Sequence, residues 1–308
     1  MACELLDLSC YQRYRMKSLR AFRTSSDLPI QRRLKGYAGK FLMKLKPGLS
    51  AAVRASPFST SWSQSGKLIR NALLIRAIET HDHAMICEFL RDYWSSSVSD
   101  EFYDGFAHRY ETVFLAHHQG IVAEVAKVIE KTGAEINQVI EIGAGDGKIL
   151  EHFSNHLEGI PIFKGMDINA AQMENNRIKY AESPRLSFHQ GDASAWLAAE
   201  TRPGTLLLSN GGVLEYFTRE DVRKMFENLG KNGAPCLVVL TESVATDHDL
   251  KNESETYPYG FELSLSHNYE ALLKEAGFSI GFMKDRLTTP EESEIVGRWI
   301  QIVAVRMK

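Results

Sequence analysis

The chain is poor in the features that cross-link or anchor a protein. Its 308 residues hold four cysteines, Cys3, Cys10, Cys87 and Cys236. They are scattered, with no CxxC pair and no ligand spacing, so neither a disulfide framework nor a metal site is expected. No apolar run approaches the roughly 18 residues that a membrane-spanning helix needs. Glu4, Asp7 and Arg13 interrupt any signal-peptide core at the start. These absences predict a cytoplasmic protein with reduced thiols. Internal repeats and low-complexity segments are also missing.

What is present is uneven. The net charge of -3 conceals twelve Lys/Arg against three Asp/Glu in residues 1–60, a local +9, leaving -12 for the remainder. A basic arm on an acidic body can dock on that body, on an anionic membrane surface or on nucleic acid. Within it, "KGYAGKFLMKLKPGLSAAV" sets apolar residues near helical spacing among lysines, a pattern suited to a surface-lying helix, beside the plainer and favoured reading of a partly ordered, solvated extension. The Ser/Pro-rich "RASPFSTSWSQSG" reads as a loop or linker closing this tract.

Three regions follow: a basic arm over 1–60, a helical cap over 61–132 and an α/β domain over 133–308. In the second, "GKLIRNALLIRAIET", "HAMICEFLRDYW" and "SDEFYDGFAHRYETVFLAHHQGIVAEVAKVIEK" repeat apolar residues at three and four, with Ser99 as an N-cap. In the third, the short runs "QVIEIGA", "IFKGMDI", "LSFHQGD", "TLLLSNG" and "PCLVVLTES" alternate with amphipathic helices. Units of that length imply a parallel sheet covered on both faces. "FSIGFMKDRL" and "WIQIVAVRM" read as an antiparallel hairpin closing one edge.

Directly after the first strand comes "EIGAGDGK", with Gly143, Gly145 and Gly147 within five positions. Ligands of open α/β sheets bind at the carboxyl ends of strands, so this loop is a binding-site candidate. A phosphate loop of the GxxxxGK[ST] form is disfavoured, because Ile149 stands where the hydroxyl belongs. A dinucleotide fingerprint is disfavoured too: Lys148 replaces the third glycine, and Glu141 and Asp146 would repel a pyrophosphate. A cationic nucleoside without phosphate suits the same charges. Asp167, ending the second strand, can accept from both hydroxyls of a ribose, and Asp192, ending the third, from an adenine amino group.

With these residues in place, positions 138–307 resemble the class I S-adenosylmethionine-dependent methyltransferases of small-molecule type. "EIGAGDG", "MDI", "GDAS" and "LLLSNGGVLEYF" follow one another in the family's order. The resemblance implies a Rossmann-like seven-stranded sheet of order 3-2-1-4-5-7-6, last strand antiparallel, with a helical N-terminal extension. It implies S-adenosylmethionine held by Glu141, Gly143, Ala144, Gly145, Gly147, Asp167, Ile168, Asp192, Ala193 and Asn210. "YDGFAHRYE" resembles a segment found before the first strand in many members and implies that Tyr103 or Tyr110 lines the pocket. Plainer readings stand beside these: Glu141 holding the turn, Asp192 capping "SAWLAAE", Trp196 packing near adenine or in helix core, and the tyrosines packing as core.

Methyl transfer chiefly needs alignment in a dry pocket, with a general base for acceptors that must lose a proton. Tyr110, Asn210, Glu215 and His108 are the candidates for positioning and proton transfer. His81, His83, His117, His118, Glu242 and His248 are further titratable neighbours. The "SNGG" after the fourth strand is not the N/D-P-P-[YF] of base- and amide-methylating enzymes, which disfavours that acceptor class. The reading is transfer to a small-molecule or biosynthetic-intermediate acceptor. Two alternatives stay open: transfer or cyclisation of the aminobutyrate chain with release of methylthioadenosine, and a nucleic-acid methyltransferase using the basic arm. Few aromatics in the arm and an acidic body disfavour nucleic acid. Peripheral membrane contact through the arm and a homodimer also stay open.

Overall fold

The computed structural model describes residues 19–58, 63–96, 108–289, 292 and 296–308. Ser99 and Tyr103 lie outside the described residues.

The sheet is built as its sequence pattern requires. Strands β1 (Gln138–Ile142), β2 (Ile162–Asp167), β3 (Leu186–Gln190), β4 (Thr205–Asn210) and β5 (Cys236–Val244) pair in parallel, and β8 (Ser279–Leu287) and β9 (Arg298–Arg306) close it antiparallel. The order is β3-β2-β1-β4-β5-β9-β8. Two short strands intervene in the chain, β6 (Tyr257–Tyr259) and β7 (Ser264–Ser266), forming a separate hairpin. Without them the order is the expected 3-2-1-4-5-7-6.

Successive side chains of a strand point to opposite faces, and both faces here are buried. Val139, Leu206, Leu208, Val239 and Val303 join one core with helix α5 (Ile121–Thr132) and helix α6 (Lys148–His156). Ile140, Ile142, Leu207, Val238, Leu240 and Ile302 join the other. Helices α8 (Ala193–Glu200), α9 (Arg219–Gly233) and α10 (Tyr269–Glu275) cover that second face. α7 (Ala170–Lys179) follows β2, and its Met173 is buried on the first.

A third core belongs to the helices before the sheet. These are α1 (Ile30–Leu45), α2 (Pro47–Ala55), α3 (Gln64–Glu79) and α4 (His83–Ser95). α3 buries Ile69, Leu73, Leu74, Ile75 and Ile78, which point to several sides of the helix because it lies at the centre of this layer. Phe89 and Leu90 of α4 and Leu263 and Leu265 of the β6–β7 hairpin complete the cluster. α1 lies close against α3 through Gly36 and Gly39: a Cβ on Gly39 would collide with the Leu68 carbonyl, one on Gly36 with the Ile75 side chain. Much of the basic arm is thus helix, packed in the same layer as the cap. Between α4 and α5, Tyr110–His118 winds as a π-helix, a wider coil often found beside functional sites. It ends where Gln119 donates its backbone N–H to the Phe114 carbonyl at 2.8 Å.

Candidate active site

A cavity of about 260 Å³ opens at the carboxyl ends of β1, β2 and β4. That is far above the roughly 10–15 Å³ that admits one water, so the space suits a ligand. Its floor is the loop after β1. Gly143 there has φ 69°. A Cβ on it would sit 2.5 Å from the Val213 side chain, so this position needs glycine for both conformation and space. The loop is held from the side by α7 and β2. Asn176 donates through Nδ2 to the Gly145 carbonyl at 2.7 Å, and Tyr180 donates its hydroxyl to the Asp146 carbonyl at 3.1 Å.

The carboxylates at the strand ends divide into three situations. Asp167 accepts the Gly145 N–H at 3.1 Å through Oδ2 and the Asn169 N–H at 3.0 Å through Oδ1. It therefore ties the glycine loop to β2 while facing the cavity. Burial raises its pKa, and the backbone amides of Asn169, Gly145 and Ile168 oppose that rise. Asp192 caps α8, its Oδ1 accepting from Ser194 N at 3.0 Å and Ala195 N at 3.2 Å. Its Oδ2 pairs with Arg91 of α4 at 3.1 Å. The capping role read in the sequence is thus present, and a bridge from the cap layer is added.

Glu141 is different. Its carboxylate is buried, and Oε2 has no hydrogen-bond partner. Burial first, then the charges of Asp146 and Asp167, push its pKa well above the carboxylate range, with the Leu150 amide offsetting part. Asn210, at the end of the neighbouring β4, likewise has a buried Oδ1 with no partner. Both residues line the cavity. Two unpaired acceptors at the ends of adjacent strands call for a donor-rich ligand, since a buried acceptor left unpaired costs about 1–3 kcal/mol.

The roof comes from the cap layer and the π-helix. α4 supplies Arg91 and Trp94, three residues apart and so on one helix face. The preceding turn and π-helix supply Arg109, Tyr110, Val113, Phe114 and His118. Tyr110 stacks on Phe114 with centroids 5.8 Å apart, and its hydroxyl bonds His152 Nδ1 at 2.9 Å. Tyr110 therefore lines the cavity with its ring while its hydroxyl is engaged by α6. Toward β5 and β9 the wall is Thr241, Trp299 and His118, whose ring lies 5.1 Å from that of Trp299. His118 Nδ1 is buried without a partner. Burial, followed by the charges of His117, Arg286, Lys284 and Arg109, lowers its pKa to about 4, so the imidazole is neutral at neutral pH.

Of the expected residues, the cavity gathers Glu141, Gly143, Ala144, Gly145, Asp167, Ile168, Asp192, Ala193, Asn210 and Tyr110. It does not gather Gly147, His108 or Glu215. Gly147 stands behind the loop with φ 76°, where a Cβ would meet the Tyr180 ring at 2.7 Å. Packing against Tyr180 and Phe188 accounts for that glycine. His108 is exposed. Glu215 is buried beneath the wall, where its Oε2 accepts from Tyr259, from Ser264 at 3.0 Å and from Ser243 at 3.1 Å. Trp196 packs on His189, 5.3 Å between ring centres, away from the cavity. Arg91, Trp94, Arg109 and Trp299 were missed, because no local spacing near the glycine loop points to residues so distant in sequence.

The central strands, the glycine loop and the terminal antiparallel pair now stand together. Residues 139–234 match the family model described as a methyltransferase domain. Residues 139–234 are therefore a methyltransferase domain. The order of the sheet around it is the one the resemblance implied. None of the curated proteins matches the chain. Solved structures similar to the chain include magnesium protoporphyrin IX methyltransferase from Synechocystis PCC 6803 with bound SAH, at 16% identity and TM-score 0.48, covering 72% of this chain and 99% of that one. A SAM-dependent methyltransferase from Leishmania major is similar at 14% identity and TM-score 0.48, covering 72% and 82%. A Haemonchus contortus phosphoethanolamine N-methyltransferase, solved with phosphomonomethylethanolamine and S-adenosylhomocysteine, shows 13% identity and TM-score 0.43, covering 60% and 53%.

Proposed function

We propose that the methyltransferase transfers the methyl group to a small-molecule acceptor enclosed between the sheet ends and the cap layer. One observation carries the cofactor placement: the unpaired Glu141 Oε2 and Asn210 Oδ1 beside the glycine loop. An α-ammonium has three N–H donors and no acceptor, so it satisfies both oxygens at once and suits the acidic surroundings. Asp167 has lone pairs beyond those taken by Gly145 and Asn169 and is placed to accept from ribose hydroxyls. Ile168 and Ala193 would flank the adenine. Asp192 would accept the adenine amino group only by sharing Oδ2 with Arg91.

S-adenosylmethionine supplies a methyl carbon already activated by the adjacent sulfonium. The remaining work of the chain is alignment and exclusion of water. Trp94, Phe114, Tyr216 and Trp299 give the acceptor region broad apolar faces, and His118 Nδ1 offers it a polar contact from a neutral ring. A roof built from α4 and the π-helix encloses a small acceptor better than a duplex or a long strand.

Product analysis tests this. Purified protein incubated with S-adenosylmethionine and a small-molecule cell extract should form S-adenosylhomocysteine in an extract-dependent way. Methylthioadenosine released without any acceptor would replace methyl transfer with chemistry on the aminobutyrate chain. Activity that requires added RNA would move the acceptor to nucleic acid.

A further inference from the structure

Among the described residues, the exposed large apolar side chains before the sheet all lie on one helix. Ile30, Leu34, Tyr37, Phe41 and Leu45 of α1 are each 60–67% exposed. At ~100° per residue they fall within ~80° of arc, one stripe along a helix about 24 Å long. Gly36 and Gly39, which seat α1 on α3, face the opposite side. The stripe is therefore not the helix's core-facing side left uncovered. It is a second apolar face, turned outward.

Its charge is one-signed. α1 carries Arg32, Arg33, Lys35, Lys40 and Lys44 and no acidic residue. Lys40 is held by Glu79 of α3 at 3.0 Å. Lys35 and Lys44 stand exposed on either side of the stripe, and Lys46 is exposed just past its end. Large apolar side chains along the middle with lysines at the margins is the arrangement that sinks into a lipid interface while the ammonium groups meet anionic headgroups.

We propose that α1 docks the methyltransferase on an anionic lipid bilayer surface through Ile30, Leu34, Tyr37, Phe41 and Leu45, with Lys35, Lys44 and Lys46 meeting the headgroup charge. A second copy of the chain is a poorer occupant, because a two-fold contact would bring two cationic helices together with no acid on either. Nucleic acid is poorer as well, since the centre of the face is apolar and carries no cation to meet phosphates. The docking goes beyond the methyl-transfer reading and does not depend on it.

The test is co-sedimentation of the full chain with vesicles of phosphatidylcholine alone and of phosphatidylcholine mixed with phosphatidylglycerol. The wild-type protein should partition onto the mixed vesicles, less so at high salt, and stay in solution with the neutral ones. Leu34→Ser combined with Phe41→Ser should weaken partitioning about tenfold or more. Lys35→Glu combined with Lys44→Glu should weaken it at least about tenfold. Both double variants should keep the wild-type thermal midpoint and S-adenosylmethionine affinity, which separates lost docking from lost folding. Wild-type protein left in the supernatant, equal recovery on both vesicle types, or a stripe variant that partitions normally would overturn the proposal. So would self-association or RNA retention that the stripe variant abolishes while vesicles go unbound.

Discussion

Exchanging Glu141 for glutamine should move affinity and stability in opposite directions. The carboxylate is buried beside Asp146 and Asp167 with one oxygen unpaired, and its pKa stands well above the ordinary 4.5. In the unfolded chain the group ionises near that ordinary value. Between it and the raised folded value the native state holds a proton the unfolded state has released. Stability therefore falls as pH rises through this window, by about 1.4 kcal/mol per unit. Below the ordinary value the contribution is fully present. Glu141→Gln keeps the shape and removes the ionisation, so the ligand-free variant should gain on wild type progressively above about pH 4.5. Binding should go the other way. Loss of a charge-assisted hydrogen bond to an ammonium removes about 2 kcal/mol, close to thirtyfold in Kd. Wild-type binding should also release protons, seen in calorimetry as a heat that depends on the buffer's ionisation enthalpy, and the variant should lose that dependence. Thermal melts across pH and titration calorimetry read both halves. A variant that binds as wild type does, or that melts lower than wild type at alkaline pH, would refute the reasoning.

Other perturbations test the remaining walls of the site. Asp167→Ala should weaken S-adenosylmethionine binding by roughly 2 kcal/mol or more, because it removes the ribose acceptor and frees the Gly145 N–H; unchanged calorimetric affinity would remove the ribose assignment. Gly143→Ala should cost about 1–3 kcal/mol of stability from its φ of 69° and its clash with Val213. Adding Val213→Ala should recover the steric part of that loss, and a denaturation cycle showing strict additivity would count against the clash. Arg91→Gln breaks an ion pair whose side chains are well exposed, so stability should change by less than about 1 kcal/mol. The same variant should leave Asp192 Oδ2 to the adenine; a drop in cofactor affinity would show instead that the pair holds the site together.

The sheet was legible because most of its strands are short apolar or alternating runs bounded by a turn or by a helix with its own period. Asp167 and Asp192 were legible because the chain places each at the end of such a run. The β6–β7 hairpin was not, since "YPY" and "SLS" are too short to carry a period of two. Glu215 was misplaced for a related reason. Its position after β4 points toward the cavity in a linear reading, and only the hydroxyls of Ser243, Tyr259 and Ser264, contributed by three different strands, draw it beneath the wall. Trp196 sits one turn after Asp192, but its side of α8 faces His189. Arg91, Trp94 and Trp299 reach the cavity through tertiary packing alone. In "LRDYW" the spacing of Arg91 and Trp94 places them on a shared helix face, without saying which face meets a ligand.

The buried Glu215 hub fastens the turn carrying Tyr216 to β5 and to the β6–β7 hairpin, and Tyr216 itself donates to Glu262 at 3.2 Å. These anchors are distinct from the Asp167, Asn176 and Tyr180 bonds that hold the glycine loop, while Val213 of the same turn packs over Gly143. On the proposed reading, the wall facing the acceptor and the loop gripping the nucleoside are fastened by different side chains and coupled through Val213. Substitutions in the hairpin would then tilt the Tyr216 wall while leaving the bonds of the glycine loop in place, and Val213 is where such a change would be passed on to the nucleoside.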